Sequence, residues 1–175
     1  MLNDFPSFLN DHAACERKAS ATGLNFVVQY PDRTELIEPM IQIAREELLH
    51  FQQVYTLLKK QGLQLSSDER TPYVNKLLSL IRTGRDQRFL DRLLTFGIIE
   101  ARGAERFGIV AENISDPELK VFYQKLTQSE KQHHEFFLKM ALKYFSTDEV
   151  ELRLDELLTA EAEIMKELPL RAAVQ

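Results

Sequence analysis

Ser129-Glu130-Lys131-Gln132-His133-His134 interrupts an otherwise apolar seam. Around it, apolar residues recur in steps of three and four at Leu119, Phe122, Leu126, Phe137, Met140 and Tyr144, which marks one face of a helix. Glu130 and His133 fall on that face, where Leu or Phe is expected. A carboxylate and an imidazole one turn apart, both turned toward a core, are costly to bury unless paired or metal-bound. The same device occurs at Glu47-Leu48-Leu49-His50, on a seam of Leu36, Met40, Ile43, Val54 and Leu57.

The rest of the chain reads as the scaffold for these two Glu-x-x-His pairs. It has 175 residues, enough for one domain with a sizeable core, so residues 1–175 are read as a single helical domain. A formal net charge of −5 gives no overall basic character that would announce a nucleic-acid partner. Cys15 is the one cysteine, which rules out an internal disulfide and fits a reducing compartment such as the cytoplasm. The first residues lack the basic and apolar regions of a signal peptide, and no apolar run reaches the ~18–20 residues of a membrane span.

Strictly alternating β-branched runs are absent, so the expected fold class is all-α. The first helix is predicted from about Ser7 to Val28, closed by Tyr30-Pro31-Asp32. The second starts at Thr34 as N-cap and ends at Lys59, Lys60 and Gly62. A long connection, Leu63 to Arg85, contains Thr71-Pro72 as the start of a short helix running through Ile81 to Gly84. The third long helix spans about Asp86 to Asn113. The fourth opens at Asp116-Pro117 and ends near Phe145, and a last helix runs from Glu149 to about Leu168. Two helices, a long crossover and two more helices make a ferritin-like four-helix bundle with an additional C-terminal helix.

The seams of the first and third helices each carry one carboxylate, Glu16 and Glu100. Each half of the chain thus offers a lone Glu on one helix and Glu-x-x-His on the next. The expected metal ligands, and catalytic residues through the metals, are Glu16, Glu47, His50, Glu100, Glu130 and His133. Four carboxylates and two imidazoles suit two iron ions that can be reduced together and react with O₂. Structural zinc fits less well, because it favours softer donors.

Several neighbours stand beside this set. Ala19 and Gly103, three residues beyond the lone carboxylates, are small enough to leave room for O₂ or substrate, or simply for close helix packing. His12 lies one turn before Glu16, either supporting the site or as a satisfied core histidine. His134 is expected to point sideways. Glu46 and Glu105 can hydrogen-bond ligating groups, although solvated ion pairs are the ordinary reading. Cys15, Tyr55, Tyr123 and Tyr144 read as packing residues. Lys76, Arg82, Arg85, Arg88, Arg92, Arg102 and Arg106 form a basic region in an acidic chain, suited to phosphates unless its charges pair along the helices.

Four segments carry a family resemblance: Ala14-Cys15-Glu16-Arg17-Lys18-Ala19, Glu46-Glu47-Leu48-Leu49-His50-Phe51, Ile99-Glu100-Ala101-Arg102-Gly103-Ala104-Glu105-Arg106-Phe107 and the opening motif. The ligand spacing alone belongs to many ferritin-like proteins. Together with the stretch around Glu100, the chain resembles the tRNA 2-methylthio-N-isopentenyladenosine hydroxylases. The resemblance implies an O₂-dependent di-iron monooxygenase acting on the isopentenyl group of a modified adenosine beside the anticodon. It also implies tRNA and an electron donor as partners, and it places the six ligands as above. The competing expectation is a bacterioferritin-type ferroxidase, which uses the same ligand spacing.

Overall fold

The computed structural model describes residues 1–67, 71–169 and 172–174. Among these there are helices and no strands: a 3₁₀ turn at Leu2–Asp4, then α1 (Phe5–Gln29), α2 (Thr34–Lys60), α3 (Pro72–Leu78), α4 (Arg85–Asn113), α5 (Pro117–Tyr144) and α6 (Thr147–Glu167). The described residues fall into two compact units, residues 1–67 with 172–174, and residues 71–169.

The first unit is built on α1 and α2, joined by the turn at Tyr30–Arg33. Their close approach is set by small residues. A Cβ on Gly23 would come within 3.0 Å of Ala44 Cβ and 3.2 Å of the Met40 carbonyl oxygen. Beside it, Ser20 Oγ donates to the Ala44 carbonyl at 2.7 Å. Phe8, Leu9, Phe26, Leu36, Met40, Val54 and Leu58 fill the interior. Gly62, at φ 69°, closes α2: Leu63 N–H reaches back to the Leu58 carbonyl and Gly62 N–H to Lys59. The predicted start of α2 shifts by one residue. Thr34 is the first helical residue, Arg33 is the cap, and no side-chain cap forms. At the other end of this unit, Val174 N–H donates to Asp11 Oδ2 at 2.7 Å.

In the second unit α4 and α5 pair. Asp116 Oδ1 caps α5 by accepting from Glu118 and Leu119 N–H, with Pro117 following it. Ser146 Oγ caps α6 by accepting from Glu149 N–H. Gly97 faces α5, where an added Cβ would make ordinary contact, 3.4 Å from Phe137 Cβ, and His134 Nδ1–H donates to the Gly97 carbonyl at 2.7 Å. His134 thus points sideways, as expected, and ties two helices together. α4 is buried on more than one face, with Leu90, Leu94 and Ile98 added to Phe89, Leu93 and Phe107, because α3 and α6 also pack in this unit.

The short helix ends at Leu78, earlier than the predicted Gly84. The cause is local. Arg82 N–H is bound by the buried Asp91 carboxylate at 2.8 Å, which draws the backbone out of helical pairing. Asp91 also takes the guanidinium groups of Arg82, from Nη2 at 2.7 Å, and of Arg153, from Nε at 2.9 Å. Residues 68–70 of the crossover lie outside the described residues.

Candidate metal centre

In the first unit, α1 supplies Glu16 and α2 supplies Glu47 and His50. Glu16 and Glu47 are buried and His50 nearly so. One ligand atom from each lies within 4.8 Å of the others. His50 Nδ1 is 3.4 Å from Glu47 Oε2 and 3.7 Å from Glu16 Oε2. In the second unit, α4 supplies Glu100 and α5 supplies Glu130 and His133, all buried, again with ligand atoms within 4.8 Å of one another. His133 Nδ1 stands 3.7 Å from Glu130 Oε2. The structure therefore gathers the six predicted residues as two trios with the same chemistry, one in each unit.

These separations suit a shared cation. Donors around a six-coordinate divalent ion with bonds of ~2.1 Å lie ~3.0 Å apart when adjacent and ~4.2 Å apart across the ion. The observed 3.4–3.7 Å falls between those limits. The charges agree. Burial pushes the Glu16 carboxyl up, but His12, His50 and Glu47 outweigh it and hold it well below the usual carboxylate range. Burial pushes the His50 imidazole down, and the carboxylates of Glu16 and Glu47 beside it raise it to about 10. Two buried carboxylates thus hold a cation next to them, and a metal ion can replace that proton. The donor set of each trio, two carboxylates and one imidazole, fits iron.

The neighbours resolve differently. Ala19 is half-buried, and the place beside Gly103 is filled by Glu130: an added Cβ there would meet Glu130 Cγ at 3.6 Å. Gly103 is small where Glu130 lies against it. His12 is fully buried and its Nε2–H donates to Glu16 Oε1 at 2.6 Å, so it supports the site directly. Glu105 instead binds Arg102 at 2.8 and 2.9 Å, and Glu46 accepts from Gln42 at 2.7 Å. Cys15 Sγ lies 3.8 Å from Asp11 Oδ2, and burial and then that carboxylate push its thiol up, away from reactive thiolate. Tyr55 is exposed, Tyr123 is buried against Phe107, and Tyr144 packs edge-on to Phe89.

The basic region changes meaning. Arg82 is held by Asp91, Arg102 by Glu161 and Glu105, and Lys76 by Glu167. Arg92 is buried over the Phe96 ring, 5.9 Å from its centroid. Lys76, Arg82, Arg92 and Arg102 are therefore engaged within the second unit. Glu161, which the sequence reading missed, sits on the α6 seam of Val150, Leu157 and Ile164, the same signal that exposed Glu130. Its partners are Arg102, through Nε at 2.6 Å and Nη2 at 2.7 Å, and Tyr73 Oη–H at 2.8 Å.

Comparison with known proteins agrees with this geometry. The model of the tRNA-(MS[2]IO[6]A)-hydroxylase (MiaE) family matches residues 2–172. A Pseudomonas putida protein named tRNA 2-(methylsulfanyl)-N(6)-isopentenyladenosine(37) hydroxylase is 34% identical over 165 residues, 94% of this chain and 80% of that protein. A Salmonella typhimurium protein of the same name is 29% identical over 131 residues, covering 75% of this chain and 48% of that protein. Among solved structures, a Synechococcus protein with aldehyde deformylating oxygenase activity superposes with a TM-score of 0.91. It is 34% identical, and the match covers 97% of this chain and 86% of that one. The fold is thus the all-α, ferritin-like one expected from the sequence. With a match that runs nearly from end to end, this chain belongs to the tRNA-(MS[2]IO[6]A)-hydroxylase family.

Proposed function

We propose that this protein is the tRNA hydroxylase its family describes, inserting one oxygen atom from O₂ into the isopentenyl group of 2-methylthio-N-isopentenyladenosine. The observation that carries the reading is the coincidence of that family match with two buried trios of two carboxylates and one imidazole. Glu16, Glu47 and His50 from one unit and Glu100, Glu130 and His133 from the other would hold two iron ions. When bound, the iron pair supplies O₂ activation and a two-electron store for the reaction. The balance is R–CH₃ + O₂ + 2e⁻ + 2H⁺ → R–CH₂OH + H₂O, so an electron donor is a required partner.

The chain's own residues prepare this chemistry. The carboxylates neutralise the metals' charge, and Nδ1 of each histidine faces them. His12 fixes one oxygen of Glu16. The apolar seams, such as Phe107, Leu126 and Phe137 in the second unit, are buried and would keep water away from the metals. The prenylated base must leave the anticodon stack to be reached, as single-stranded RNA commonly does when proteins read it. No described helix is long and apolar enough to cross a membrane. A tRNA substrate supports a cytoplasmic location.

The cellular test is nucleoside mass spectrometry on bulk tRNA from cells lacking the gene. The hydroxylated prenyl adenosine disappears and its unhydroxylated precursor accumulates, and the gene restores the product. Normal product in the deletion strain would refute the assignment. A storage ferroxidase, the competing reading, leaves tRNA untouched.

A further inference from the structure

Glu16 and Glu100 occupy matching places in the two halves, each followed some thirty residues later by Glu-x-x-His. The positions one turn ahead of them differ. Four residues before Glu16 stands His12, and four before Glu100 stands Phe96. His12 is fully buried, with its ring packed against Phe8 at a centroid distance of 5.9 Å. Its Nε2–H donates to Glu16 Oε1 at 2.6 Å, while Glu16 Oε2 lies 3.7 Å from His50 Nδ1. The two oxygens of one carboxylate therefore have different partners: Oε1 is tied to His12, and Oε2 is turned toward the ligating imidazole. Phe96 has no polar atom to offer; its ring packs on Phe137 at 6.2 Å and under the Arg92 guanidinium.

Resting on the metal-site reading above, we infer that His12 is a positioning residue for the metal held by Glu16, Glu47 and His50. Its hydrogen bond holds the Glu16 carboxylate in one rotamer, so that Oε2 is presented to the ion before the ion arrives. A partner that orients a ligating group typically changes metal affinity 10–100-fold. The effect is confined to one half of the chain, because the other half carries Phe96 at the matching position.

The test is cobalt(II) titration of the whole protein, read from the visible d–d bands and by calorimetry, with circular dichroism to confirm folding. Wild type takes up two cobalt ions. His12→Phe, which copies the other half, weakens one of the two binding steps by roughly 10–100-fold and leaves the second unchanged. His12→Gln, whose amide N–H can donate from a similar reach, recovers that step to within a few-fold, and the shorter His12→Asn does not. This Gln/Asn pair carries the test if His12→Phe fails to fold. Two unchanged steps in His12→Phe, or equal loss in His12→Gln and His12→Asn, overturns the inference and leaves the metal-site reading intact. A wild type that binds no cobalt overturns the metal-site reading and this inference with it.

Discussion

Arg102 separates a structural role from an RNA-binding one. Glu161 is 1% exposed and accepts three hydrogen bonds, two from Arg102 and one from Tyr73. Arg102→Met removes two of the three and strands a buried carboxylate. Breaking a buried pair by deleting one partner costs about 3–5 kcal/mol. Arg102 itself is 33% exposed, so water already screens its side of the pair and the lower end, about 3 kcal/mol, is the expectation. In a chain of this size that lowers Tm by roughly 6–12 °C. The pH dependence carries a sign. In wild type, burial pushes the Glu161 carboxyl up, but the hydrogen bonds from Arg102 and Tyr73 outweigh it and hold it low. A depressed carboxyl contributes stability that is present above the unfolded value of ~4.3 and is lost as pH falls through the folded value. The gap between wild type and Arg102→Met is therefore widest near neutrality and narrows as acid protonates Glu161, first in the variant, where burial is no longer outweighed by Arg102. Adding Glu161→Met to Arg102→Met recovers most of the loss, because no charge is then left buried. Thermal melts by circular dichroism from pH 4 to 8, beside tRNA binding by filter retention, decide it. A fall in Tm below ~2 °C together with weakened tRNA binding refutes the reasoning and returns Arg102 to the nucleic-acid surface.

Two glycines predict opposite responses. Gly23→Ala puts a methyl 3.0 Å from Ala44 Cβ and against the Met40 carbonyl, so α1 and α2 must part, and the loss exceeds the ~1 kcal/mol that Ala brings to a helix. Gly97→Ala meets Phe137 Cβ at an ordinary 3.4 Å and leaves urea-melt stability equal or up to ~1 kcal/mol higher. Metal binding is itself a stability signal: manganese(II) at 100 times its Kd adds about 2.7 kcal/mol, a rise of roughly 5–11 °C in a thermal melt. Glu47→Ala with His133→Ala, one ligand from each trio, abolishes that rise while the metal-free melt remains cooperative.

The helix boundaries were legible where the chain carries strong local chemistry. Asp116-Pro117 starts a helix as the sequence predicts, and Gly62 stops one at a positive φ, while the last helix begins at Thr147, two residues before the expected Glu149. The early end of α3 was not legible. It depends on Asp91, nine residues further on, taking Arg82 N–H, and no periodicity encodes that. The misplaced polar residue on an apolar seam proved an ambiguous signal. It marks Glu47 and Glu130, and equally Glu161, whose partner Arg102 is 59 residues away and binds it as an ion pair. The histidine three residues later separates Glu47 and Glu130 from Glu161, which has Ile164 there; Glu16 and Glu100 carry no such mark. The same long-range pairing explains why the basic region read as a surface for phosphates: Arg82 and Arg102 look exposed in sequence, and only tertiary packing supplies Asp91 and Glu161. His12 was visible in sequence one turn before Glu16, but spacing alone could not say whether its ring faced the carboxylate.

The central claim is that the two trios hold iron for O₂-dependent hydroxylation of the prenyl group in tRNA. A single turnover tests it most directly. Purified protein is loaded with two equivalents of iron(II), mixed with tRNA bearing 2-methylthio-N-isopentenyladenosine, and exposed to isotopically heavy O₂. The nucleosides are then read by mass spectrometry. The account predicts a hydroxylated prenyl adenosine carrying one heavy oxygen, absent when His50→Ala or Glu130→Ala replaces wild type. An unaltered nucleoside from fully iron-loaded protein, or a hydroxyl oxygen drawn from water, contradicts it.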